Sequence, residues 1–291
     1  MSELLKRCDV FLMASSGKFR RSNLLVLAQN YNLERLQAQC ISDFKSIDDV
    51  MAIKPEREYV FLDDRSKRML LDKLLGINSA LALPAAFVPE SSNAAADPPT
   101  GKKRSLTTLN SAKKRKLTDT ASCPWLQLIS CPPDIVLLVG NTRIPAHKQY
   151  LSMFSDFFNN MFQSEFKESR ESEITLEEIR HDEILELLSV IYPSDQYSIN
   201  EANIATIVKL ADRFMMPMIL ERCKKELKSS NKIKGALKLW LAQQYGTLAE
   251  LQKEFAYKYK SIEDVRKLKA EPEFDLLDDK MRALLLESIT M

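Results

Sequence analysis

Asp134–Glu168 reads DIVLLVGNTRIPAHKQYLSMFSDFFNNMFQSEFKE, and the fold turns on how its apolar residues are spaced. An unbroken apolar segment, Ile135 to Val139, meets the two-residue turn signal Gly140-Asn141 and then a second short extended piece, Arg143 to Ala146. That is the signature of a β-hairpin, because glycine and asparagine reach the backbone angles that a tight turn between twisted strands demands. After Ala146 the spacing becomes helical: Tyr150, Leu151, Phe154, Phe157, Phe158, Met161 and Phe162 recur at intervals of three and four. A hairpin feeding two short helices is expected, with most of the Phe and Met side chains in the core of their own domain.

Downstream, Glu173-Ile174-Thr175-Leu176 alternates like a short strand, and an amphipathic helix is expected from Glu183 to Tyr192, stopped by Pro193. Asn200 is placed to cap a helix whose buried face is Ile204, Ile207, Val208, Leu210, Ala211 and Phe214. Pro217 suits the first turn of the next helix, running to about Leu227. The fold class is therefore α+β and mostly helical.

The order of these features resembles the BTB/POZ domain, a small sheet flanked by helices. Asp134 before the first strand, the Ala146-His147-Lys148 step into the first helix, and Ser155-x-x-Phe158-x-x-Met161-Phe162 carry the resemblance. It implies a protein-binding module that forms homodimers, with Asp134 and Lys148 in a charged pocket near the dimer interface. It also implies that Phe166 and Glu168, a hydrophobic-x-Glu motif after the second helix, contact the cullin-3 scaffold of a RING ubiquitin ligase. The residue-level alternative is Phe166 tucked onto its own domain and Glu168 solvated. His147 is a structural residue at the strand-to-helix step in this reading, and His181 is expected to lie exposed in a polar turn.

From about Lys232 the pattern is all helical, and it repeats the N-terminal segment. Ser46-Ile47-Asp48-Asp49-Val50 matches Ser261-Ile262-Glu263-Asp264-Val265, and Leu62-Asp63-Asp64 matches Leu277-Asp278-Asp279, both at an offset of 215 residues. Leu70-Leu71 pairs with Leu285-Leu286 in the same register, Arg7-Cys8 pairs with Arg222-Cys223, and Leu27-Ala28-Gln29 matches Leu241-Ala242-Gln243 at 214. Residues 230–291 also resemble the BACK-like helical extension of nematode-type BTB and MATH-BTB proteins, through Leu237-Lys238-Leu239, Leu241-Ala242, Ser261 to Val265 and Pro272-Glu273-Phe274. The domains expected are a BACK-like half-unit at 1–77, a linker at 78–121, the BTB/POZ domain at 122–229 and the extension at 230–291. Either a tandem protein has lost its first BTB core or the sequence begins partway through a longer product; both readings stand.

The linker combines small residues, prolines and a basic cluster without apolar periodicity, so it is expected to be disordered. Lys102, Lys103 and Arg104, then Lys113, Lys114, Arg115 and Lys116, form two basic blocks that resemble a nuclear import signal read by an import receptor. Removing these seven from the chain's 42 basic residues leaves 35 against 40 acidic, so the remainder is net negative. With no aromatic residue interleaved among the basic ones, specific nucleic-acid recognition is not expected.

The remaining chemistry is sparse. Five scattered cysteines, Cys8, Cys40, Cys123, Cys131 and Cys223, are expected to be reduced and mostly buried, and with only two histidines no metal or other cofactor is expected. No phosphate-binding glycine loop, zinc-protease helix or nucleophile elbow occurs in the sequence, so an enzyme is not expected. No apolar run approaches the roughly 18 residues of a membrane span, and the N-terminus lacks secretory-signal features, so nucleus and cytoplasm are the expected locations. The leading expectation is an adaptor that dimerises and brings an unidentified substrate protein to a cullin-3 ligase. The competitor is a BTB oligomerisation scaffold in nuclear or transcriptional regulation, and a degenerate product is a third class.

Overall fold

The computed structural model describes residues 10–12, 19–77, 116–117, 131–163, 172–192 and 198–291. The chain divides into two units. One comprises Pro84–Ile199 with Arg213–Ile219, the other Met1–Leu83 with Asn200–Asp212 and Leu220–Met291.

The first unit is built on the hairpin. Strands β2 (Ile135–Val139) and β3 (Thr142–Ala146) pair antiparallel, Ile135 opposite Ala146 and Val139 opposite Thr142, across the two-residue turn Gly140-Asn141. Gly140 has φ +56°, a conformation that costs glycine nothing and an L side chain strain. Strand β4 (Glu173–Thr175) adds parallel to β2, and the two-residue strand β1 (Lys116–Leu117) adds parallel to β3, giving the order β1-β3-β2-β4. Two residues expected in the linker thus belong to the sheet, because the open edge of β3 offers unpaired backbone groups that any extended neighbour can satisfy. Helices α5 (Lys148–Phe154), α6 (Asp156–Gln163) and α7 (His181–Ile191) follow the strands. Leu137, Ile144, Leu151, Phe158, Ile174, Ile184, Leu187 and Leu188 form the core.

Among its described residues the second unit contains helices and no strand. Among the described residues its N-terminal part contains α1 (Arg21–Asn30), α2 (Glu34–Ser42), α3 (Ile47–Ile53), a 3-10 turn at Arg57–Phe61 and α4 (Asp64–Leu74). It also holds most of α8 (Ile204–Arg213) and α9 (Pro217–Ser229), then α10 (Gly235–Gln244), α11 (Leu251–Ala256), α12 (Ile262–Lys269), a 3-10 turn at Pro272–Leu276 and α13 (Asp279–Ile289).

The sequence repeat is a structural repeat. Helices α1 and α10 coincide at an offset of 214, while α4 and α13 coincide at 215. Ser46 and Ser261 each cap their helix by accepting the N–H three residues on, from Asp49 and Asp264, and Asp63 and Asp278 do the same for Ser66 and Met281. The Lys45 and Ser46 backbone N–H groups hold the Asp49 carboxyl below its ordinary pKa. Even a side-chain clip repeats: Gln29 donates to the Phe61 carbonyl and accepts from the Asp63 N–H, and Gln243 treats Leu276 and Asp278 identically. One exchange differs. Arg21 lies over the Phe44 ring in the first copy, whereas its counterpart Gly235 leaves room for the Tyr259 hydroxyl, 1.9 Å from where a Cβ would stand.

Candidate functional site

The Ala146-His147-Lys148 step is held by a buried polar chain. His147 is 4% exposed, its backbone N–H donates to the Tyr192 hydroxyl at 2.9 Å, and its Nδ1 lies 3.2 Å from the same oxygen. Its Nε2 lies 2.9 Å from the Cys131 carbonyl. A carbonyl only accepts, so Nε2 carries a hydrogen and donates it to Cys131. Tyr150 stacks on Tyr192 with centroids 4.9 Å apart and encloses the chain. His147 therefore fixes where strand β3 becomes helix α5. Tyr192→Phe removes the shared hydroxyl and strands buried polar atoms of His147, and a loss of about 1–3 kcal/mol is expected, read as a lower urea midpoint at constant m-value.

Ser155 sets the break between α5 and α6. It is buried, its hydroxyl donates to the Phe214 carbonyl at 2.6 Å, and the same oxygen accepts the Phe158 N–H at 3.1 Å as a helix cap. The Asp156 N–H donates to the Met215 carbonyl, so the start of α6 is tied to the segment after α8.

The aromatic stripe on these helices is only partly covered. Phe158 alone of the α6 side chains is fully buried, against Phe157 at 5.3 Å and Phe214 at 5.0 Å between centroids, while Phe157, Met161 and Phe162 stay half-buried. Met153 and Met215, near the start of α6, are exposed. Helical periodicity shows which face is apolar but not how much of it the domain itself covers.

Asp134 and Lys148 do come together, and the described interaction runs through the backbone: the Lys148 N–H, at the first residue of α5, donates to the Asp134 carboxylate at 2.8 Å. A carboxylate at a helix N-terminus is favoured by the unsatisfied N–H groups there. The Lys148 ammonium lies 5.5 Å from the Phe162 ring centroid. Asp134, Lys148 and Phe162 thus share one corner, and α6 ends one residue beyond Phe162. Phe166 and Glu168 lie outside the described residues, as do Lys102, Lys103, Arg104, Lys113, Lys114 and Arg115 of the basic blocks; Lys116 is the first residue of β1.

Other chemistry differs in detail from the sequence expectation. His181 is half-buried rather than exposed, because it forms the first residue of α7. Burial pushes the Cys40 thiol up to about 11 and the Cys223 thiol up to about 12, as expected of core cysteines, but Cys131 is exposed. Cys8 and Cys123 lie outside the described residues. Among the described residues no three His, Cys, Asp or Glu side chains converge as metal ligands, and no helix is long and apolar enough to cross a membrane. A cleft of about 230 Å³ lined by Lys238, Phe255, Lys258 and Tyr259 is smaller than the roughly 300–1,000 Å³ of small-molecule sites.

Residues 128–231, which include β2–β4, the buried His147 step and the serine-broken helix pair, match the model of the BTB/POZ domain. The chain is 33% identical over 156 residues to BTB and MATH domain-containing protein 38 of Caenorhabditis elegans, covering 54% of this chain and 40% of that protein. It is 34% identical over 156 residues to BTB and MATH domain-containing protein 36 of the same organism, covering 54% of this chain and 48% of that protein. Kelch-like protein 5 of Homo sapiens is 32% identical over 94 residues, 32% of this chain and 12% of that protein. The chain spans less than half the length of each of these relatives.

Proposed function

We propose that this chain is a non-catalytic adaptor that self-associates through its BTB/POZ domain and carries a bound substrate protein to a cullin-3 RING ubiquitin ligase. The observation that carries the reading is the corner where Lys148 meets Phe162, on a helix whose apolar stripe is only half covered. Half-covered aromatic and methionine side chains of this kind anchor protein interfaces. Phe166 stands four residues after Phe162 in the sequence, outside the described residues. Phe166 then supplies an apolar anchor and Glu168 a directional hydrogen bond, while Asp134 and Lys148 belong to the homodimer interface. The two basic blocks engage an import receptor and distribute the protein between nucleus and cytoplasm.

Titrating the full chain with the purified N-terminal region of cullin-3 tests this. Phe166→Ala with Glu168→Ala is expected to weaken binding at least ~10-fold. Unchanged affinity in the double variant removes the site assignment. No binding by the wild-type chain favours an oligomerisation scaffold in nuclear regulation instead.

A further inference from the structure

The two helical repeats do more than resemble each other; they pack on each other reciprocally. Helix α4 lies along its own counterpart α13, antiparallel, since Lys67 meets Glu287 at one end and Asp72 meets Arg282 further along. At the offset of 215, Lys67 corresponds to Arg282 and Asp72 to Glu287. The ion pair Lys67–Glu287, 2.6 Å, is therefore the mirror partner of Arg282–Asp72, 3.0 Å. A second reciprocal set involves backbone. The Lys54 ammonium donates to the Thr290 carbonyl at 2.5 Å, and its counterpart Lys269 donates to the Leu75 carbonyl at 3.0 Å, Leu75 being the counterpart of Thr290. Residue i meeting j while j meets i is the rule of a two-fold interface between identical surfaces. Two unrelated segments joined by a linker have no reason to obey it twice.

The chemistry survives replacement of one copy by the other. With a second α13 in the place of α4, Arg282 of each copy faces Glu287 of the other, and Lys269 of each faces the other's Thr290 carbonyl. Charge signs are kept at every reciprocal position. The Arg68–Asp279 pair has no equivalent in that arrangement, because Ala283 stands where Arg68 does. Helix α13 is also buried nearly all round, from Met281 to Leu286 and from Ser288 to Thr290, so without α4 it would present an apolar face to water.

We propose that this face of the C-terminal helical repeat is a self-association surface whose partner is the same face of a second copy, and that residues 19–77 occupy it within the chain and keep it closed. Tethering favours the internal counterpart, since the linked segment is present at a high effective concentration. The N-terminal half-unit thus acts as a built-in cap on assembly.

The test is a charge exchange in the full chain, followed by sedimentation velocity over a range of concentrations. Asp72→Arg sets a new guanidinium against those of Arg282 and Arg68 and opens the internal pairing, but leaves every group of the α13-to-α13 pairing in place. Its mass is expected to rise at least twofold over the wild-type chain, increasingly with concentration. Asp72→Arg combined with Arg282→Asp restores the internal pair with reversed signs and sets two carboxylates, the new one and that of Glu287, against each other wherever α13 meets α13. That double variant is expected to return to the wild-type mass. A single variant that keeps the wild-type mass, or a gain in mass that the second substitution does not reverse, overturns the proposal.

Discussion

Asp72→Ala is expected to destabilise the helical unit by about 3–5 kcal/mol. The Asp72 carboxylate is wholly buried, 3.1 Å from Arg68 Nε and 3.0 Å from an Arg282 terminal nitrogen. Arg282 is itself 6% exposed and lies with its guanidinium 5.0 Å from the Phe274 ring centroid. Its other terminal nitrogen already donates to the Phe274 and Asp275 carbonyls, and its Nε is buried without a hydrogen-bond partner. Alanine at 72 therefore leaves a guanidinium in a low-dielectric site with no counter-charge beside it there. The ion pair as a whole need not be strongly stabilising, because dehydrating both charges offsets their attraction. Asp72→Leu with Arg282→Met should consequently recover most of the loss. Denaturant unfolding followed by far-UV circular dichroism reads both variants; a single variant that costs less than about 1 kcal/mol would contradict the buried charge pairing.

Phe158→Ala is expected to cost the BTB/POZ unit about 3–5 kcal/mol, the range for emptying a buried aromatic site. Its ring is fully buried among Phe157, Phe162 and Phe214, and its backbone N–H is the one that the Ser155 hydroxyl caps. Phe158→Leu keeps much of the volume and should cost less than half as much. The contrast separates core from surface on one helix, since Phe157→Ala, one residue away and half-buried, should cost less. Equal losses for Phe157→Ala and Phe158→Ala would contradict the burial described for α6.

The hairpin, the two short helices and the repeat were legible because each rests on local chemistry: Gly140 in a tight turn, Ser46 and Ser261 before acidic first turns, leucine pairs at matching intervals. The pairing of the two repeats was not. Most charged residues are solvated, and nothing in the local sequence around Lys54, Lys67 and Asp72 marks them as partners of residues some two hundred positions away. The half-covered state of Phe157, Met161 and Phe162 was hidden for a related reason, since periodicity identifies an apolar face without saying what lies against it. The corner formed by Asp134, Lys148 and Phe162 was half visible: the resemblance singled out the first two residues, and only the fold brought Phe162 to them.

The adaptor reading is tested most directly by mixing the full chain with the cullin-3 N-terminal region at micromolar concentration and measuring the mass of what forms. One complex containing equal numbers of both proteins is the predicted result, with the BTB/POZ homodimer retained inside it. Two species that sediment separately, each at its own mass, would contradict it.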